Sequence, residues 1–278
     1  MSTSMQARKS VVTPVIPPQL READVVLSRG IGTLSDIIVG LDGGTYSHAA
    51  FYDGEMFIQA MKKGVSRTEP VGIPGEQEFL DDFRFHTLDG RILGHGANEV
   101  TPQPVTDEAT RMIGLEFDYG ALVQALRMLH VRRNAPAAWD DRWAAVLRNE
   151  MAAYRRDKHD PNETKLTCTE LVTRAFWNAT QSGTNRDYAI WVQYQRPKPA
   201  DFRSDEYDRV LDESARFLAD EDPQFSVDAA AMSHDFPDTL KPGDVIAGSP
   251  RLQAQFVTPY DLEHSSSMTG LGRIWPTT

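Results

Sequence analysis

The chain has very little cysteine, since Cys168 is the only one among its 278 residues. An intramolecular disulfide needs two thiols, so a disulfide-stapled fold is excluded and a reducing compartment is the simpler location. The first twenty residues also lack the apolar stretch of a secretory signal. We therefore expect a cytoplasmic protein, and export by a route that needs no such signal stays open.

Long apolar runs are missing as well. No window reaches the roughly 20 apolar residues that a transmembrane helix needs, so we expect no integral membrane segment. Positive charge is scarce, because 29 Lys and Arg stand against 40 Asp and Glu, for a formal net charge of -11. Such a chain gains no general attraction to phosphate backbones or anionic lipid surfaces. We expect no nucleic-acid partner, and the oligomeric state is not indicated.

The apolar content is ordinary for a globular protein, at 40% hydrophobic and 25% charged residues. Residues 1–20 contain three prolines and predict an irregular arm. From residue 21 onward, strand-like and helix-like patterns are mixed without regular alternation. This mixture predicts one α+β domain over residues 21–278.

Local patterns assign the elements of this domain. Residues 23–30 predict a strand, and residues 61–105 predict loops and short strands. Apolar stripes at helical spacing predict three helices: one around 122–129, one over 139–154 and one starting at Cys168. Later patterns predict a strand over 188–194, a helix over 205–220 and a turn with a short strand around 240–250.

Cys168 stands at the start of a predicted helix. Thr167 and Glu170 fit a capping box, in which each side chain accepts a hydrogen bond from the other residue's backbone N–H. A thiol in the first turn faces unpaired N–H groups and the positive end of the helix dipole, which favour the thiolate. Glu170 opposes this, because a nearby carboxylate disfavours a second negative charge. A buried structural cysteine is the alternative interpretation.

A nucleophilic thiol needs a base within hydrogen-bond reach, and His48 is the best placed of the seven histidines. It begins the first of two strand-like runs that flank Asp53-Gly54, a strong hairpin signal. A two-residue turn there sets His48 opposite Gln59, with Cβ atoms roughly 5 Å apart. Gln59 then orients the imidazole as the third member of the set. A polar pair on a solvated face is the alternative, and Glu55 is the competing third residue.

A metal site has little support in the sequence. No two histidines show the four-residue helical spacing of a zinc motif. The thiol chemistry just described needs neither a metal nor an organic cofactor. We therefore expect no cofactor.

Five segments carry a resemblance to a known family. They are ADVVLSRG, the Ser35-containing LSDIIVG, YSHAAFYDG, FIQA followed by KKGV, and TCTELVTRAF, in this order. The order resembles circularly permuted NlpC-type papain-like cysteine peptidases, in particular their YiiX/YebB-like branch. Matched residue by residue, the resemblance makes Cys168 the nucleophile, His48 the base and Gln59 the third polar residue.

The chain departs from the family pattern at two positions. The third site residue is often Glu in that branch, and the amide of Gln59 orients without adding charge. The opening Gly-Asp pair is Ala23-Asp24 here. The resemblance covers about residues 22–70, 115–122 and 165–180, and the segment PGDVIAGSP resembles a C-terminal element of the branch.

The resemblance implies a papain-like fold, in which a small antiparallel sheet packs on the helix that carries Cys168. Insertions are expected at about 71–160 and 181–235. It also implies a thiol-dependent hydrolase that cleaves an amide bond of peptide type, with a peptide, amide or acyl substrate. A thiol acyltransferase or thioesterase on the same fold is one alternative. A non-catalytic binding module that retains the fold is another.

Overall fold

The chain is described from a computed structural model. The described residues are 20–72, 75–87, 89–118, 120–122, 125–126, 129, 164–182, 188, 190 and 257–275. The predicted arm, the helix over 139–154, the strand over 188–194, the helix over 205–220 and the segment PGDVIAGSP lie outside them, apart from Leu20, Tyr188 and Ile190.

The main element is a six-stranded antiparallel sheet. Its strands are β1 (Val25–Gly30), β2 (His48–Tyr52), β3 (Phe57–Met61), β4 (Gly64–Thr68), β5 (Gln77–Phe85) and β8 (Met268–Trp275), in the spatial order β4-β3-β2-β1-β5-β8. A short parallel pair joins β6 (Glu116–Phe117) to β7 (Lys165–Leu166). In the described part of the chain, four helices have defined bounds: α1 (Thr33–Asp42), α2 (Gln103–Arg111), α3 (Cys168–Ser182) and α4 (Pro259–Glu263). Residues 120–122, 125–126 and 129 are helical as well. The fold is therefore mixed α+β, as predicted.

Strand β1 lies between β2 and β5 and is covered on both faces. Val25 and Leu27 belong to the larger apolar core, which also contains the buried face of α3. Val26 belongs to a smaller cluster on the opposite face of the sheet. A strand buried on both faces reads as a continuous apolar run, which is why the sequence predicts β1 correctly.

Helix α3 packs against β2 and β3 through the apolar stripe that its sequence predicts. Leu171, Val172, Ala175 and Phe176 are all fully buried. The ring of Phe176 lies 6.2 Å from that of Phe51, measured between centroids, in an edge-to-face arrangement. Each large side chain buried this way contributes about 1.5–3 kcal/mol, so the helix is fixed on the sheet close to β2. Among the described residues, no helix is long and apolar enough to cross a membrane.

The expectation of loops and short strands over residues 61–105 is wrong for β5. This strand has nine residues and lies inside the sheet, paired with β1 and β8. The strand was not predicted because its charged residues interrupt the apolar pattern. Charged residues are normally taken as exposed, whereas Asp81 and Asp82 are buried. Helix α2 also lies within the expected insertion 71–160 and packs on α3.

The hairpin of β2 and β3 forms, but the predicted two-residue turn is wrong. Phe51 pairs with Ile58 and Tyr52 with Phe57, which leaves Asp53 to Met56 in the turn. Asp53 Oδ1 accepts hydrogen bonds from the N–H groups of Glu55 at 3.0 Å and Met56 at 2.8 Å. The Asp side chain thus stabilises a longer turn, and the register differs by two residues from the predicted one.

Three ionisable side chains, Asp24, Asp82 and Arg84, meet where the end of β5 lies beside the start of β1, and the two carboxyl groups are buried. Arg84 Nε and Nη2 donate to the two carboxylate oxygens of Asp24, at 2.9 and 2.7 Å. Burial, followed by the negative charge of Asp24, raises the pKa of Asp82 to about 8. Asp82 is therefore protonated at neutral pH, and its carboxyl group can donate a hydrogen bond to Asp24.

This pKa predicts a loss of stability with rising pH. An unfolded Asp titrates at about 3.9, so the folded protein binds the extra proton between that pH and about 8. Stability therefore falls as pH rises through this window. Asp82→Asn keeps a donor that does not ionise, and should remove about 2 kcal/mol or more of the pH-dependent loss between pH 5 and 9.

Urea unfolding of both proteins at pH 5, 7 and 9 measures this effect. Glu78→Gln, at an exposed position near the start of the same strand, is the matched control and should keep the wild-type pH dependence. An Asp82→Asn variant whose stability falls with pH as steeply as the wild type would contradict the protonated carboxyl group.

Candidate active site

Cys168 is the first residue of α3, and the predicted capping box holds it there. The Thr167 N–H donates to Glu170 Oε2 at 3.3 Å, and the Glu170 N–H donates to Thr167 Oγ1 at 3.4 Å. The thiol is half-buried. It therefore lies in the first turn, where the helix dipole and the unpaired N–H groups favour a thiolate.

The carboxylate of Glu170, which the sequence indicates as opposing a thiolate, is compensated in the structure. Glu170 is fully buried, and its Oε1 lies 2.6 Å from Nη2 of Arg174, one helical turn further on. The positive charge of Arg174 offsets the field of the carboxylate at Cys168. Arg174 is not among the residues predicted from the sequence, although a Glu and an Arg four residues apart on a helix are a recognisable ion-pair signal.

His48, the first residue of β2, lies beside Cys168 and is half-buried. Its ring forms a hydrogen bond with the Cys168 side chain. Its Nε2 atom lies 2.9 Å from Oε1 of Gln59. Because Gln59 occupies Nε2, Nδ1 is the ring nitrogen left to exchange a proton with the thiol. The structure thus brings the three predicted site residues together.

Gln59 reaches His48 from a different register than the sequence predicts. Continued from the observed pairs, the β2–β3 register sets Gln59 opposite Ala50, with His48 as its diagonal neighbour. Long side chains reach across such a diagonal. The expected contact between His48 and Gln59 is therefore present, although the two-residue turn from which it was predicted is not. The competing residue, Glu55, lies in the turn, where its side chain is 81% exposed and faces Arg67.

The amide of Gln59 is held at both of its ends. Its Nε2 donates to Thr68 Oγ1 at 2.6 Å, while Oε1 faces His48. Thr68 ends β4, on which Ser66 is paired directly with Gln59. Thr68 is absent from the sequence analysis, and its hydroxyl group extends the set of connected side chains from three to four.

The pKa values of Cys168 and His48 shift in opposite directions. Burial is the largest influence on Cys168 and raises its pKa. The charge and hydrogen bond of His48, with the backbone N–H groups of Ala49 and Thr169, prevail and lower the pKa below that of an ordinary thiol. For His48, burial is again the largest influence, and it lowers the pKa. The thiolate of Cys168 and the hydrogen bonds to Cys168 and Gln59 prevail and raise the pKa above its ordinary value. Both shifts favour a thiolate–imidazolium pair.

The other described histidines have partners elsewhere in the fold. His86 contacts the carbonyl oxygen of Thr87, His95 pairs with Glu22, and His264 stacks on Tyr260. His130, His159 and His234 lie outside the described residues. Within the described part of the chain, no group of three or more His, Cys, Asp or Glu side chains is arranged to hold a metal ion.

The chain matches no protein-family model, no curated protein and no solved structure. We therefore infer function from the contacts that join Cys168, His48, Gln59 and Thr68.

The pKa shift of Cys168 predicts its reactivity. Alkylation by iodoacetamide reports on a single thiol in this chain, and its rate plotted against pH should have a midpoint below the ordinary thiol value of about 8.5. His48→Ala removes the favourable charge and should move that midpoint upward.

His95→Ala, which removes an exposed imidazole paired with Glu22, is the matched control and should leave the midpoint unchanged. A wild-type midpoint at or above the ordinary value would contradict an activated thiol. Slow labelling at every pH would support a buried structural cysteine instead.

Proposed function

We propose that the protein is a thiol-dependent hydrolase that cleaves amide bonds of peptide type. The observation that carries this proposal is the series of contacts from Cys168 through His48 to Gln59. A nucleophile, a base and a residue that orients the base are the parts that acyl transfer requires. An antiparallel sheet packed on the helix of the nucleophile also supports a circularly permuted papain-like fold.

The first half of the reaction forms an acyl-enzyme. The Cys168 thiolate attacks the carbonyl carbon, a C–S bond forms, and the carbonyl π electrons move onto the oxygen. When these electrons return, the C–N bond breaks, and the amine leaves with the Nδ1 proton of the His48 imidazolium. The products of this half are the free amine, a thioester on Cys168 and a neutral imidazole.

The second half releases the acid. His48 Nδ1 accepts a proton from a water molecule while the water oxygen attacks the thioester carbon. The C–S bond then breaks, Cys168 leaves as a thiolate, and His48 remains protonated. The starting pair is restored, so the low pKa of Cys168 and the high pKa of His48 serve both halves of the cycle.

The oxygen of the tetrahedral intermediate needs hydrogen-bond donors. The first N–H groups of a helix have no partner within the helix, and the N–H of Cys168 is one of these in α3. We assign this N–H to the oxyanion hole. The N–H groups of Ala49 and Thr169 already point at the sulfur and stabilise the thiolate.

Substitution of the two reacting residues tests the proposal. Cys168→Ala and His48→Ala should each reduce hydrolysis at least about 10³-fold, and the double variant should be little worse than either, because the two groups act as one unit. A fluorogenic peptide-amide library and p-nitrophenyl acyl esters, assayed in parallel, measure the loss. Circular dichroism confirms the fold of each variant.

Retention of most activity by His48→Ala would contradict the assigned base. Turnover of the acyl esters without any amide hydrolysis would contradict the peptide-type substrate, and would favour a thioesterase or acyltransferase. Absence of turnover in both assays would favour a binding module.

The role of Gln59 predicts a smaller effect. Gln59→Ala removes one hydrogen bond to a charged ring, which corresponds to a loss of about 10–100-fold in kcat/KM. Glu55→Ala, in the exposed turn of the same hairpin, is the matched control and should be silent. The opposite ranking of these two variants in steady-state kinetics would contradict the assignment of Gln59.

A further inference from the structure

We propose that Thr68 is a positioning residue that keeps the carbonyl end of the Gln59 amide toward His48 and thereby favours the thiolate–imidazolium pair. An amide has two chemically opposite ends, since its oxygen accepts hydrogen bonds and its NH₂ group donates them. Which end faces His48 decides whether the protonated ring can be stabilised, because only the oxygen accepts the Nε2–H of an imidazolium. The effect on turnover rests on the proposed function, but the protonation of the pair is measurable without a substrate.

The contacts of Gln59 define the orientation. Oε1 lies 2.9 Å from His48 Nε2, and Nε2 of the amide donates to Thr68 Oγ1 at 2.6 Å. In this orientation Oε1 accepts the Nε2–H of the imidazolium. If the amide turned by half a revolution, its NH₂ group would face the ring. A protonated ring has no acceptor there, so that orientation supports only the neutral imidazole.

The hydroxyl group of Thr68 decides between these orientations because the amide is buried. Gln59 is 8% exposed, so an NH₂ group directed away from His48 needs a protein acceptor. Without Thr68 Oγ1, this donor would be left unpaired, which is rarer in proteins than an under-paired carbonyl oxygen. The amide would then turn and donate to the neutral ring, leaving its oxygen as the unpaired atom.

All four groups are polarised in the same sense when the pair is charged. Going outward from Cys168, His48 donates to Gln59 and Gln59 donates to Thr68. Hydrogen bonds in such a series strengthen one another. Thr68 supplies the terminal acceptor, so loss of its hydroxyl group should raise the pKa of Cys168 although Thr68 does not contact the reacting atoms.

Alkylation of Cys168 by iodoacetamide against pH tests this directly. Thr68→Val replaces the hydroxyl with a methyl group of similar size, and should raise the Cys168 midpoint by about one pH unit, a tenfold lower thiolate fraction below the midpoint. The pKa of His48, followed by NMR of the imidazole protons, should fall in the same variant. Thr68→Ser keeps the acceptor and should restore both values.

Ser66→Ala is the matched control. Ser66 lies on the same strand as Thr68 and is paired directly with Gln59, but it is exposed. It should leave both pKa values unchanged. Equal shifts in Thr68→Val and Thr68→Ser would show a merely structural role. A wild-type midpoint in a folded Thr68→Val variant, with folding checked by circular dichroism, would overturn the proposal.

The Gln59→Glu background provides an independent test. A carboxylate has two equivalent acceptor oxygens and no orientation to select, so Thr68→Val should shift the Cys168 midpoint much less in that background. An equal shift in both backgrounds would overturn the proposal. If the shift is present but neither amides nor esters are turned over, the proposed function fails while the role of Thr68 stands.

Discussion

The packing of α3 on β2 and β3 is the contact on which the site depends, because Cys168 and His48 are far apart in sequence. Phe176 lies against Phe51 of β2 and Phe85 of β5, with ring centroids 6.2 and 4.8 Å apart. Rigid aromatic contacts of this kind fix how the helix lies on the sheet. The capping box by itself makes the first turn favourable for a thiolate, but this packing is what brings His48 to the thiol.

The candidate site could be predicted from the sequence largely because its geometry depends on local periodicity. The stripe of α3 repeats at helical spacing, and the hairpin of β2 and β3 follows from two strand-like runs around Asp53. The predicted register is wrong by two residues. Since side chains alternate between the faces of a strand with period two, an error of two preserves the face, whereas an error of one would separate His48 from Gln59.

Strands β5 and β8 could not be predicted from local patterns because their stability depends on distant partners. The buried Asp82 of β5 lies beside Asp24, which precedes β1, and Asp81 accepts a hydrogen bond from Arg273 of β8 at 2.5 Å. A pattern search treats such charges as exposed. The contact of Thr68 with Gln59 could in principle have been predicted from the sequence. A two-residue turn after β3 sets Gln59 opposite Ser66, which makes Thr68 the diagonal neighbour of Gln59.

Two of the buried carboxyl groups in the described part of the chain are accommodated in different ways, and one of the two lies at the site. Asp82, beside the carboxylate of Asp24, is held protonated, whereas Glu170, close to the thiol, is paired with Arg174. The third site residue, Gln59, is itself uncharged. In the proposed thiolate–imidazolium pair the two charges balance each other without a third charge, so the stability of the pair depends on which end of the neutral Gln59 amide faces the ring. A carboxylate would attract the imidazolium from either oxygen, but an amide does so only when its NH₂ group has another acceptor.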